Sequence, residues 1–253
     1  MTAPTSVGES LADPVLEAAR LQRRAQDAGL TLRVTGGAAI AMRCPSSQMS
    51  PLARAYGDID LVAPVKEART LTELFARLGY QPDLAFNALH GARRLFFWDP
   101  VNARQVDVFL DIVEMCHKLD LTARMHLSET TIPLADLLLS KLQIVETNDK
   151  DLKDILALLV DHPFSEDETG INLVHISQVT GSDWGLWRTT TMIAERAEHY
   201  AQSLDGFVHR DRVHDQVAWL LNALARAVKS TRWRLRSRVG DRVRWYELPE
   251  EGH

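Results

Sequence analysis

Hydrophobic and polar positions along this chain fall into two textures. Up to about residue 110, short β-branched runs alternate with turn residues. From residue 134 onward, apolar residues recur every three to four positions. The first segment, 9–29, has Leu11, Val15, Ala18 and Ala19 on one side and Arg20, Arg23, Arg24 and Asp27 on the other, which predicts a helix ending at Gly29. Residues 30–35 alternate and predict a strand, which Gly36-Gly37 breaks before a short helix over 38–42. Residues 45–57 are rich in Pro and Ser and predict a loop; 58–63 predict a second strand. Ala68, Leu71, Leu74, Phe75 and Leu78 line one face of a helix over 67–78. Strands follow at 93–98 and 105–110, joined by a hairpin turn at 99–103. Helices are then predicted at 134–145, 151–160, 184–204 and 213–228. Val213, Val217, Leu220, Leu221, Leu224 and Val228 form the stripe of the last.

The pattern predicts an α/β fold, a mixed sheet with flanking helices, followed by a helical C-terminal domain. The Pro-, acid- and Gly-bearing stretch 161–170 marks the expected boundary, giving domains 1–165 and 166–253. No repeat of about 20–50 residues is visible.

Composition adds exclusions. The 253 residues are 45% hydrophobic and 25% charged, ordinary for a folded domain and unlike a disordered or collagen-like chain. Apolar runs are too short to span a membrane, and the N-terminal segment lacks the basic start and apolar stretch of a secretory signal. Two cysteines, Cys44 and Cys116, offer no disulfide framework, so the expected setting is the reducing cytoplasm. The net charge of −5 points to no polyanionic partner; only local charge could.

Candidate chemistry starts with Asp58-Ile59-Asp60. On a strand, residues two apart share a face, so both carboxylates point one way while Ile59 and Leu61 point the other. Such a pair is either a solvated strand edge or a cation site, because two carboxylates brought together repel. Asp107, flanked by Val106 and Val108, adds a third carboxylate in an apolar strand; Asp111 is a rival that closes that strand. Three carboxylates on two strands could hold two Mg²⁺ ions about 3.5–4 Å apart and clamp a phosphoryl displacement. Gly36-Gly37, between a strand and a helix, is either a tight turn or a place where backbone amides approach a phosphate.

Gly36-Gly37, Asp58/Asp60 and Asp107, in that order and context, resemble the nucleotidyltransferase superfamily built on the polymerase-β-like fold. Twenty residues separate Gly37 from Asp58, more than is usual there, and the surplus coincides with the 45–57 loop, which could carry Arg54 toward a phosphate. The helical segments with Lys141, Asp151 and Asp154 are similar to the AbiEii-like branch, which includes toxins of toxin–antitoxin systems. The resemblance covers roughly residues 30–160. It implies a Mg²⁺-dependent enzyme, with two ions, that moves an NMP from an NTP to a hydroxyl and releases pyrophosphate. Asp58, Asp60 and Asp107 would be catalytic and metal-binding. Gly36, Gly37, Lys141, Asp154 and Arg54 would serve the nucleotide. The acceptor would be a tRNA end or a small hydroxylated molecule, as in antibiotic-modifying transferases, and a cognate antitoxin would be a possible partner. A non-catalytic binding relative is the alternative from another class.

Lys141 also stands out by position. It shares a helix stripe with Leu134, Leu137, Leu138 and Val145, where an ammonium either snorkels to water or meets a counter-charge. Arg93-Arg94 could face a triphosphate or simply be exposed. His90 is isolated, Cys116-His117 reads as a packed pair, and Trp184 and Trp187 read as packing residues. Finally, residues 226–244 hold eight basic side chains and one acid, Asp241, with Trp233 inside and Trp245 following. This stretch is either a solvated face or a surface for phosphates and bases, in a helix end or a hairpin.

Overall fold

Asp13 sets the start of α1 (Pro14–Asp27). Its carboxylate accepts the amides of Val15 and Leu16 at 2.8 and 3.0 Å, with Pro14 following where no amide is needed. The helix therefore begins later than the amphipathic pattern alone suggests. In this computed structural model, which describes residues 9–248, the chain divides into two compact units. The first holds the chain up to Ala39 with Ala55–Val113 and Asp120–Ile132. The second holds Ile40–Arg54, Glu114–Leu119 and the chain from Pro133 onward.

The first unit is an α/β body. Its strands are β1 (Arg33–Thr35), β2 (Ile59–Ala63), β3 (Gln81–Pro82), β4 (Arg94–Asp99) and β5 (Arg104–Leu110). Its further helices are α3 (Ala68–Arg77) and α4 (Leu84–His90), and α2 (Gly36–Arg43) runs from this unit into the next. Among the described residues these strands make one five-stranded mixed sheet, in the order β1-β2-β5-β4-β3. The β2–β5 pair is parallel and the other pairs are antiparallel.

The register separates the sheet into two chemical faces. Ile59, Leu61 and Ala63 lie beside Val106, Val108 and Leu110, which lie beside Phe97 and Leu95. All of these are buried. Phe75 of α3 packs 4.6 Å from Phe97 on this side, next to Tyr80. Tyr80 donates its hydroxyl to Glu17 of α1, a fully buried carboxylate that Arg20 also holds at 2.6 and 2.7 Å. The other face carries Asp60, Asp107, Phe96, Phe109 and Arg94. The β4–β5 turn forms as the sequence predicts: Asp99 accepts the amides of Val101 and Asn102 and pairs with Arg104 at 2.7 Å.

The second unit is helical: α5 (Leu134–Leu142), α6 (Asp149–Asp161), α7 (Leu173–Ser182), α8 (Trp184–Ser203), α9 (Arg210–Arg226) and α10 (Thr231–Ser237). Every residue of α5 is buried, so it forms the centre of this unit. α6 opens on a capping box in which Asn148 and Asp151 exchange side-chain and backbone bonds. The last passage of the chain from the first unit to the second is at Ile132–Pro133. That seam places α5 and α6 with the helices, whereas the composition of 161–170 suggests a boundary after them. The two-residue strands Phe164–Ser165 and Ile171–Asn172 pair across that loop. α7 has no counterpart in the sequence reading, because Val174, Ile176, Val179 and Thr180 weaken its helical signal. It starts where Asn172 accepts the amide of His175 at 2.9 Å. The basic stretch resolves as a helix, α10, capped by Ser230, and not as a hairpin. Among the described residues no helix is long and apolar enough to cross a membrane.

Candidate functional site

Asp60 and Asp107 are register partners on the parallel strands β2 and β5, so their side chains leave the sheet on the same face. Asp58 lies just before β2, which starts at Ile59 and not at Asp58, so strand alternation does not fix its side; its charge reaches Asp107, and Thr35 lies opposite Asp60 on β1. Asp58 is exposed, Asp60 half-buried and Asp107 buried. The charges of Asp58 and Asp107 feel one another. The Asp107 carboxyl is raised above its ordinary value, mainly by burial, with the neighbouring Asp58 adding to the rise and Arg94 opposing it.

Gly36 explains why this turn needs glycine. Its φ is +60°, and a Cβ there would lie 2.0 Å from Oδ2 of Asp60. The backbone opening α2 is thus pressed against the carboxylate, which no other residue type allows without displacing it. Gly37 is the second residue of that helix.

Arg94 emerges as a site residue. Its Nε donates to Oδ1 of Asp107 at 2.7 Å, and its guanidinium lies 5.0 Å from the Phe109 ring and 5.8 Å from the Phe86 ring. The basic pair Arg93-Arg94 hinted at this position without showing its partner. Phe96 sits beside Asp107 in the register, and Phe86 of α4 stacks against Phe96 and His90. Asp111 does not compete as the third carboxylate. It closes β5 in a left-handed conformation, φ +61°, and its Oδ1 accepts the amide of Val65 at 3.3 Å.

Lys141, Asp154 and Arg54 form a different arrangement within the helical unit. Nζ of Lys141 lies 2.9 Å from Asp154 and 3.2 Å from Asp151. Arg54 grips the same Asp154 through Nε and Nη2 at 2.8 and 2.7 Å. Asp154 is 1% exposed and Lys141 9%, so the ammonium does not snorkel. Burial pulls the Lys141 ammonium down, but Asp154 and Asp151 outweigh it and the net shift is upward. Arg54 is therefore tied to a carboxylate, where the loop length suggested a reach toward phosphate. The loop itself is anchored beside it: Asp161 accepts the amide and hydroxyl of Ser46 at 2.9 and 2.8 Å.

The donor set on the carboxylate face is all oxygen, which suits a hard divalent cation that brings water and phosphate ligands of its own. Asp58 and Asp60 supply donors of that kind. Asp107 is engaged by Arg94, and among the described residues no group of three His, Cys, Asp or Glu side chains is arranged to hold a metal. Cys44 and Cys116 are buried free thiols; burial pushes the Cys44 thiol up to about 12, which makes it a poor nucleophile. The chain matches no family model and no curated protein.

Proposed function

We propose that the α/β unit is a Mg²⁺-dependent nucleotidyltransferase that moves a nucleoside monophosphate from an NTP to a hydroxyl. The observation that carries this reading is the in-register pair Asp60 and Asp107 on one sheet face, with the charge of Asp58 reaching Asp107 and a glycine pressed against Asp60. Asp58 and Asp60 would hold Mg²⁺, which when bound supplies charge neutralisation to the phosphates. In the reaction the acceptor oxygen attacks the α-phosphorus, the bond to the bridging oxygen of the β-phosphate breaks, and pyrophosphate leaves. Asp107, whose carboxyl burial raises above its ordinary value, would take the acceptor's proton on the oxygen that Arg94 leaves open. Arg94 fixes that carboxylate's orientation and opposes the rise. The amide groups opening α2 at Gly36-Gly37 would face the triphosphate.

The Lys141–Asp154–Arg54 cluster enters this reading differently from the resemblance. Its charges are already matched among themselves, so its support for the nucleotide would lie in holding the 45–54 segment to α6.

The acceptor is a tRNA end or a small hydroxylated molecule, and a cognate antitoxin is a further possible partner. Incubation with each α-³²P-labelled NTP, Mg²⁺ and total RNA or candidate small hydroxylated compounds tests the reading. Label should move to one acceptor class with wild type and not with Asp60→Asn. No transfer with any NTP would leave a non-catalytic binding module.

A further inference from the structure

The helical unit holds a cavity of about 850 Å³, within the range of small-molecule sites, that the transferase reading does not use. Its walls include Lys118, Trp184, Arg232, Arg236, Arg244 and Trp245. We infer that this cavity is a second ligand site that takes a nucleotide unit, an aromatic base with its phosphate, either free or at the end of a single strand.

The cavity is built. The segment after α10 crosses the start of α8, where Gly185 leaves no room: a Cβ there would lie 2.7 Å from the Trp245 carbonyl oxygen. The Glu247 amide donates to the Cys116 carbonyl at 3.2 Å. The Trp245 indole donates to the Thr189 hydroxyl at 3.0 Å, and Nε2 of His117 lies 2.8 Å from the same oxygen. Trp184 and Trp245 meet edge to face at 5.9 Å. Arg236 lies 4.5 Å over the Trp184 ring and spends its donors on the carbonyls of Gly240 and Val243, at 2.8 and 2.7 Å. It shapes the wall.

Charge then selects the ligand. Three acids also line the cavity: Glu114 is paired with Lys118 at 2.9 Å, Asp183 caps α8 by accepting the Leu186 amide, and Glu247 is exposed, against the four basic residues Lys118, Arg232, Arg236 and Arg244. Arg232 and Arg244 are exposed at the rim, with Arg244 lying 4.7 Å over Tyr246. Trp184 is buried beneath Arg236 and serves as wall; the half-buried rings of Trp245 and Tyr246 beside exposed guanidinium groups are the chemistry that stacks a base and neutralises its phosphate. Of the eight basic residues in 226–244, this singles out Arg232 and Arg244; Arg234 and Arg238 lie in the same stretch but do not line the cavity.

The inference stands apart from the transferase reading, and its test runs in EDTA so that the carboxylate face holds no cation. A fluorescein-labelled single-stranded RNA hexamer and AMP are titrated into wild type, Arg232→Glu/Arg244→Glu, Arg234→Glu/Arg238→Glu and Asp60→Asn. The lining pair should lose at least tenfold in affinity, with the salt slope falling by about 0.7 per lost phosphate contact. The non-lining pair, with the same charge change, should lose less than about twofold, and Asp60→Asn should bind as wild type. Tryptophan emission should be quenched on binding. Tight binding of the hexamer alone assigns the source to a strand end, and of AMP as well to free nucleotide; both support the site. Failure of both probes, equal loss in the two arginine pairs, or ribose 5-phosphate binding as tightly as AMP would overturn it.

Discussion

The carboxylate face of the sheet and the ion network of the helical unit both gather aspartates, but with a different balance of charge: Arg94 on the sheet, Lys141 and Arg54 in the network. On the sheet, Asp60 and Asp107 stand side by side; the Asp107 carboxyl is raised by burial, with Asp58 adding to the rise and its partner Arg94 opposing it. In the network, Asp151 and Asp154 face Lys141 and Arg54, so each charge meets its opposite while buried. Crowded like charges cost stability and suit a cation that arrives with substrate. Matched buried charges hold a shape, and removing one strands the others. On the proposed function, the difference separates a surface arranged for chemistry from one arranged for structure, though both read as acidic helix or strand positions in the chain.

The sharpest way to break this comparison is Lys141→Ala. It leaves two buried carboxylates with Arg54 alone, and chemical denaturation should show a loss of about 3–5 kcal/mol. A loss below 1 kcal/mol would mean that the network is not the structural element described. Its pH signature has a fixed sign. The Lys141 ammonium is raised in the folded state, so its contribution is complete below its unfolded value of about 10.4 and is lost as pH rises through the higher folded value. Stability of wild type should therefore fall more steeply in alkali than that of Lys141→Met. Arg54→Ala should cost less, about 1.5–3 kcal/mol, since Lys141 still holds Asp154.

Gly36→Ala probes the sheet side. The positive φ and the 2.0 Å approach to Asp60 predict a loss of about 1–3 kcal/mol and a displaced carboxylate. Asp58→Asn should be the mildest. The residue is exposed, so stability should change by within about 0.5 kcal/mol while nucleotide transfer is abolished. A large stability loss there would place Asp58 with the structural charges.

The elements that the sequence revealed are those whose own pattern decides them. The side of Asp60 and Asp107 was legible because alternation along an apolar strand fixes which side a residue takes, and the register then set Asp60 beside Asp107; Asp58, read as part of the same strand, lies just before it. Arg94 was visible only as one of two basic residues, because its meaning comes from Asp107 thirteen positions away on a neighbouring strand. The Arg54 pairing with Asp154 spans a hundred positions, and nothing local announces it. α4 was missed because its few residues are capped by Asp83 and lie half-exposed, with no stripe to bury. Glu17 read as one more polar helix residue, yet Tyr80 and Arg20 make it the centre of the α1–α3 side. The cavity walls come from three separated segments, and in the chain Trp184 looked like ordinary packing.

Mn²⁺ titration followed by electron paramagnetic resonance tests the central claim most directly, since Mn²⁺ takes the same oxygen donors as Mg²⁺. Wild type with a non-hydrolysable NTP should bind Mn²⁺, Asp60→Asn should bind it at least tenfold more weakly, and Arg54→Ala, once shown to be folded, should bind it as wild type. Equal Mn²⁺ affinity in wild type and Asp60→Asn would contradict the assignment of the carboxylate face as the cation site.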